Sequence, residues 1–299
     1  MALDSLSPSF LAFMTLVFGM LVGSFLNVVI HRLPIMMERE WTVQCKDLLT
    51  AKDSSEPREP SAEPVERFDL VAPRSRCPSC GHQITVMENI PILSYVMLRG
   101  KCSNCQTPIS IRYPLIEMLT GALAVWVILH FGANFVGASA VLLTFALIAL
   151  TFIDADTQLL PDSITLPFLW LGLAFNWYGG FVPLEDAVLG AMAGYLSLWS
   201  VYQAFKLLTG KEGMGYGDFK LLAMLGAWLG YTQLPVIILF SSLVGAVVGG
   251  ALMVFARHGR DVPIPFGPYI AAAGFLAMLF GADVNTVYLD TMFPGSRYS

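Results

Sequence analysis

Six uncharged apolar runs dominate the chain, and they constrain what it can fold into more than any motif does: Ser5 to Ile30, Met118 to Ile153, Ser163 to Leu184, Ala187 to Phe205, Leu221 to Ala256 and Val262 to Ala282. One crossing of a bilayer takes about 20 apolar residues. The two runs of 36 residues are therefore each long enough for two crossings, with breaks expected at Gly132-Ala133-Asn134 and at Tyr231-Thr232-Gln233-Leu234-Pro235. Backbone polar groups in lipid must be satisfied within the segment, so such runs fold as helices. The expectation is an all-α polytopic membrane protein with about eight transmembrane helices.

The first run has only Asp4 before it and His31-Arg32 directly after it, with no small-residue cleavage pattern, so it reads as a retained helix rather than a signal peptide. Eleven of the 17 Lys and Arg lie between Arg32 and Arg112. Eight alternating crossings put Lys206, Lys211, Lys220, Arg257 and Arg260 on that same side, which the positive-inside rule makes cytosolic. The resulting division is a first helix to residue 32, a cytosolic region over 33–112, a seven-helix core over 113–282 and a periplasmic tail over 283–299. A formal net charge of −5 is small for 299 residues and argues neither for nor against nucleic acid. The expected partners are substrate and membrane lipid, with no nucleic acid.

Glycines recur at four-residue spacing at Gly19/Gly23, Gly190/Gly194, Gly226/Gly230 and Gly245/Gly249, which lets neighbouring helices approach closely. Asn27 and His31 either hold loops or bond to substrate at the cytosolic face, structural roles being favoured. Within the cytosolic region, Pro, Glu and Ser crowd Ala51 to Pro64, marking a solvated, partly disordered insertion over about 45–70. Beyond it stand Cys77-Pro78-Ser79-Cys80 and Cys102-Ser103-Asn104-Cys105, two C-x-x-C pairs separated by 21 residues. This spacing resembles a zinc ribbon: Cys77, Cys80, Cys102 and Cys105 would close a structural four-thiolate zinc site, with His82 a lesser alternative ligand and Cys45 left over. A redox dithiol or disulfides are the competing readings, the second disfavoured by a reducing cytosol.

Charged groups at the edge of the hydrocarbon are costly, so they mark candidate function. Gly215-Tyr216-Gly217-Asp218 places one acid there, and Ile153-Asp154-Ala155-Asp156-Thr157-Gln158-Leu159-Leu160-Pro161-Asp162 supplies three more. Two crossings separate Asp154 from Asp218, which returns the chain to the same face. Asp154 continues the apolar helix directly and is preferred over Asp156, which points to the opposite side of the helix. Asp162 after Pro161 reads as a helix cap. Two carboxylates held close together share a proton and can act as acid and base on one water. Interfacial acids without chemistry are the plain alternative. Glu117, one turn into the second helix, reads as an anchor that pairs with Arg112 or another base.

Taken together, Gly-x-Gly-Asp at 215–218, the Asp154 segment with its Leu-Pro-Asp ending, the two C-x-x-C pairs, Gly23-Ser24-Phe25-Leu26-Asn27 and Pro265-Phe266-Gly267-Pro268-Tyr269 resemble the type IV prepilin leader peptidases, over about residues 10 to 280. The resemblance implies a bacterial inner-membrane aspartyl protease. It would cut a short basic leader from prepilins and type II secretion pseudopilins after a glycine, and methylate the new N-terminal residue, usually Phe, with S-adenosylmethionine. It makes Asp154 and Asp218 the catalytic pair and the four cysteines zinc ligands. No glycine-rich nucleotide loop of the usual kind is present, and the methyl donor is expected in the cytosolic region around Arg99-Gly100-Lys101, with Gly100 the candidate. The polar insertion is longer than the family pattern suggests. A peptidase without methylation and a proton-coupled transporter remain the alternative functions. A transporter would bring a repeat and broken helices at mid-membrane.

Overall fold

The computed structural model describes residues 7–53, 67–255 and 265–292. Among the described residues the regular structure is helical: α1 (Pro8–Asp53), α2 (Leu93–Met97), α3 (Arg112–Phe131), α4 (Phe135–Thr157), α5 (Asp162–Trp177), α6 (Leu184–Thr209), α7 (Tyr216–Leu229), α8 (Leu234–Phe255) and α9 (Gly267–Met292). Each expected span corresponds to one of the eight long helices. Five of these, α1, α3, α4, α9 and the segment Tyr231–Ala251 that contains most of α8, are long and apolar enough to cross a membrane. The other three are α5 and α7, with 16 and 14 residues, and the less hydropathic α6.

Both long runs break where the sequence indicates. Gly132 turns with φ +83, and Asn134 starts α4 by accepting the N–H of Gly137 on its side-chain oxygen at 2.9 Å. Gly230, with φ +79, ends α7 before a single 3₁₀ turn at Tyr231–Gln233. Two bounds differ from the sequence reading. α1 does not stop near Arg32 but runs through Pro34 to Asp53, because Glu38, Arg39, Glu40 and the residues after them are adequate helix formers. α9 continues beyond Ala282 to Met292. The centre of the polar insertion, residues 54–66, lies outside the described residues, as does the tail from 293 onward.

The chain divides into two compact units, residues 13–122 and residues 1–12 with 123–299. In the first, α1 meets α3 through small residues: a Cβ on Gly23 would lie 2.8 Å from the Glu117 Cα, and one on Gly121 would lie 2.9 Å from Met20. Asn27 donates to the Tyr113 carbonyl at 3.2 Å, a loop-holding role. Arg32 is buried and donates to the carbonyls of Asp69 and Pro73 at 2.9 and 2.6 Å, so the loop following the insertion is tied to α1.

The second unit is organised around α7, which is buried from Asp218 to Leu229 apart from Lys220. α6 lies directly on it. Gly190 and Gly226 face each other backbone to backbone, and a Cβ on Gly194 would sit 2.6 Å from the Leu222 carbonyl oxygen. α5 covers another side, where Gly172 makes room for Trp228, whose indole N–H reaches the Phe168 carbonyl at 2.8 Å. Buried Asn176 closes this end. Its amide donates to the carbonyls of Ala227 and Trp228 at 2.8 and 3.0 Å, and its oxygen accepts from the N–H groups of Phe181 and Val182 at 2.8 and 3.1 Å.

Unpaired buried amides and carbonyls are costly. Asn176→Ala, which orphans four backbone groups, is therefore expected to lower stability by roughly 2–4 kcal/mol in denaturant unfolding of the purified protein in detergent.

Candidate active site

Three helix ends converge in the second unit. α4 terminates because Gln158 turns left-handed, at φ 57 and ψ 30, and its N–H closes on the Asp154 carbonyl at 2.8 Å. Asp154 therefore occupies the last full turn, where the helix face is still apolar, and is only 5% exposed. α7 begins at Tyr216 after extended Gly215, which places Asp218 in its first turn at 7% exposure. The positive end of a helix dipole favours a carboxylate there. α9 begins at Gly267, and the Gly267 N–H donates to Oδ2 of Asp154 at 2.9 Å. Leu160 packs beside Gly267, the partner of Asp154, and beside Gly217, the chain neighbour of Asp218, so the two acid-bearing helix ends meet at one place. Asp156, two residues on, is exposed, as its helical phase predicts.

Two glycines hold this geometry. A Cβ on Gly267 would meet Asp154 Oδ2 at 2.7 Å and Leu160 Cδ1 at 3.2 Å. On Gly217 it would meet Leu160 Cβ at 2.8 Å, whereas Gly215 has open space apart from Asp218 Oδ2 at 3.9 Å. Gly217 is thus required by internal packing, while Gly215 leaves one approach to Asp218 unobstructed. Asp162 is not a side-chain cap. Pro161 occupies the cap position, and the Asp162 carboxylate accepts two bonds from Lys220 Nζ, each 2.7 Å, joining the start of α5 to the second turn of α7.

Sequence reasoning did not anticipate Gly267 as a partner of Asp154. The only signal was the Pro265–Tyr269 motif, because the donor is a backbone N–H that every residue except proline carries.

The first unit carries the cysteines. Each pair sits on a tight knuckle, with Arg76 bridged to Gln83 and Lys101 to Pro108. All four Sγ atoms lie within 4.8 Å of one another, with Cys77 to Cys105 at 3.7 Å and Cys80 to Cys102 at 4.0 Å. Sulfurs about 2.3 Å from a tetrahedral zinc stand about 3.8 Å apart, so the set fits that ion with no open coordination position. The Thr107 hydroxyl and N–H push the Cys105 thiol down to about 6, toward the thiolate that a metal needs. Glu88 joins the two knuckles. The Ser103 hydroxyl, the N–H and hydroxyl of Thr85 and the His82 ring hold its carboxyl down to about 2. His82 is therefore engaged with Glu88, at 3.4 Å.

Glu117 is buried in α3 and accepts the Ile92 N–H at 2.9 Å, anchoring the segment between the cysteine pairs. Ile92 has φ 59, a costly conformation for a β-branched residue. Gly100 turns with φ +68. Its N–H donates to the Tyr95 carbonyl at 2.8 Å, its carbonyl accepts from the Ile109 N–H at 2.7 Å, and Tyr95 Oη lies 2.9 Å from where a Cβ would be. Both backbone groups are engaged in the hairpin, and Gly100 sets the shape of the turn.

The class that the fold defines is a polytopic helical membrane protein, here one that buries two carboxylates at helix ends. Residues 17–131 match the bacterial peptidase A24 N-terminal domain, and residues 141–250 match the type IV leader peptidase family. A relative from Aeromonas salmonicida, named prepilin leader peptidase/N-methyltransferase, is 56% identical over 275 residues, covering 92% of each chain. Relatives of the same name from Pseudomonas aeruginosa and Neisseria gonorrhoeae are 52% identical over 290 residues, covering 96% of this chain and 97% of theirs, and 54% identical over 275 residues, covering 92% of each. No solved structure matches the chain. The chain belongs to the type IV leader peptidase family.

Two outcomes test the site. Gly267→Ala is expected to lower kcat for leader cleavage roughly 10²-fold with KM little changed, since its Cβ displaces the Asp154 carboxylate. Atomic emission is expected to find about one zinc per chain, lost in the double variant Cys77→Ser, Cys102→Ser.

Proposed function

We propose that Asp154 and Asp218 are the acid–base pair with which this enzyme hydrolyses the leader peptide bond. The chain is a prepilin-processing enzyme with peptidase and N-methyltransferase activities, as its family and its relatives at 50–56% identity indicate. The observation that carries the assignment is the convergence of two buried carboxylates where α4, α7 and α9 end, one of them oriented by the Gly267 N–H.

In this reading one aspartate is ionised and takes a proton from water, while the other donates its proton to the scissile carbonyl oxygen. The resulting tetrahedral species then collapses as the leaving amine is protonated. The substrates are prepilins and type II pseudopilins, whose short basic leader lies in the cytosol and whose apolar helix follows the cleavage point. In this reading the acid-bearing helix ends lie at that same face of the bacterial inner membrane, which the distribution of basic residues supports.

Zinc, held by Cys77, Cys80, Cys102 and Cys105, supplies folding energy to the hairpin module and no reaction step. S-adenosylmethionine is the methyl donor in this reading.

Mass spectrometry of prepilin incubated with each variant tests the pair. Asp154→Asn and Asp218→Asn are each expected to slow leader removal by roughly 10²–10⁴-fold while zinc content is unchanged. Leader removal at the normal rate by either variant would contradict the assignment. Offering both variants a pre-cleaved pilin with the methyl donor checks that the bundle is intact, since methylation should persist.

A further inference from the structure

The segment between the cysteine pairs carries apolar side chains that the chain itself leaves uncovered. In α2, Leu93, Val96 and Met97 stand at positions i, i+3 and i+4, so they share one face of the helix. The 3₁₀ turn Met87–Asn89, which packs against α2, adds Met87 and its neighbour Val86. All five are more than half exposed, from 53 to 74%. Exposed apolar surface clustered in this way marks a docking site for protein or membrane.

The depth of the segment decides between the two. The Ile92 N–H, directly before α2, donates to the buried carboxylate of Glu117 at 2.9 Å. Beyond α2, the Gly100 carbonyl accepts the Ile109 N–H at 2.7 Å, shortly before α3 begins at Arg112. α2 is thus fastened on both sides to the start of a helix long and apolar enough to cross a membrane. From Arg112 to Glu117 that helix rises about 7.5 Å. The headgroup layer on each side of the roughly 30 Å hydrocarbon is about 5–7 Å deep. With Arg112 at the aqueous edge, Ile92 is pinned at the base of the headgroups. Surface-lying amphipathic segments bury their apolar face to a similar depth, about 5–10 Å.

The surroundings agree with lipid. Exposed apolar residues lead into α3 itself at Ile111, Leu115 and Met118. Arg99 and Lys101, both exposed, come just after α2, and basic side chains at this level are attracted to anionic lipid.

We propose that this face of the cysteine module is a lipid-docking surface: Val86, Met87, Leu93, Val96 and Met97 enter the headgroup–acyl boundary, and Arg99 and Lys101 lie at anionic phosphates. The module is thereby fixed to the bilayer and does not hang free above it. This inference is independent of the roles assigned to Asp154 and Asp218.

The test uses the unmodified full-length enzyme, one chain per nanodisc, in phosphatidylcholine that carries a photoreactive diazirine on its acyl chain. After illumination, mass spectrometry maps the lipid adducts. Peptides covering 86–97 are expected to carry adducts, as are those covering 115–119 of α3. If 86–97 stays bare while 115–119 is labelled, the face is covered by protein or water and the proposal is overturned. The double variant Val96→Glu, Met97→Glu should lower the adducts on 86–97 roughly tenfold with zinc content and the α3 adducts unchanged; undiminished adducts in a zinc-replete variant overturn it as well. Should that variant lose its zinc, the labelling of the native chain still decides. Adding phosphatidylglycerol should raise the adducts on 86–97 about twofold or more, and the double variant Arg99→Gln, Lys101→Gln should abolish that rise. No rise, or a rise that survives in the variant, overturns the part assigned to the two basic residues.

Discussion

A carboxylate cannot rest in the apolar end of a helix bundle without a partner, and Asp154 has one in the first N–H of α9. That single bond joins residues 113 positions apart in sequence, and it dictates much of what surrounds it. Gly267 cannot carry a side chain, Leu160 must fill the space beside it, and Gly217 must stay bare for Leu160 to fit. The packing further from the site serves the same end. α7 is gripped by α6 through facing glycines and by α5 through Trp228 and Asn176, so that Asp218 is presented from a helix with no freedom to slide.

Much of this was legible in the sequence because membrane helices advertise themselves. Uncharged runs bounded by glycine or asparagine turns located all eight long helices and both internal breaks. Helical phase separated buried Asp154 from exposed Asp156, and C-x-x-C spacing located the sulfur cluster. What was hidden was of two kinds. Backbone donors carry no identity in sequence, so the Gly267 bond could not be read. Ion pairs between distant elements override local signals, so Asp162, a plausible cap beside Pro161, instead reaches Lys220, 58 residues away. The end of α1 was misplaced for a third reason. Charged residues such as Glu38, Arg39 and Glu40 signal departure from lipid, which is not departure from helix.

The cysteine-bearing unit follows a different logic. Its hairpins are too small to bury a core, and they are held by point contacts: four thiols, the Glu88 bridge, the Arg32 clamp and the Glu117 bond to a strained Ile92. Glu117, first read as an ion-pair anchor, serves as an anchor through a backbone amide. Removing any one of these contacts frees a short loop rather than a whole domain, in contrast to the bundle, where helices share one interior.

The brevity of α7 has its own consequence. Its 14 residues span about 21 Å, well short of the roughly 30 Å of hydrocarbon in a bilayer. α7 alone therefore cannot carry the chain across the full depth of a bilayer, and the 26 residues of α6, gripping it through facing glycines, run well past it. Gly215, with open space around it apart from Asp218 Oδ2 at 3.9 Å, leaves one approach to that carboxylate clear.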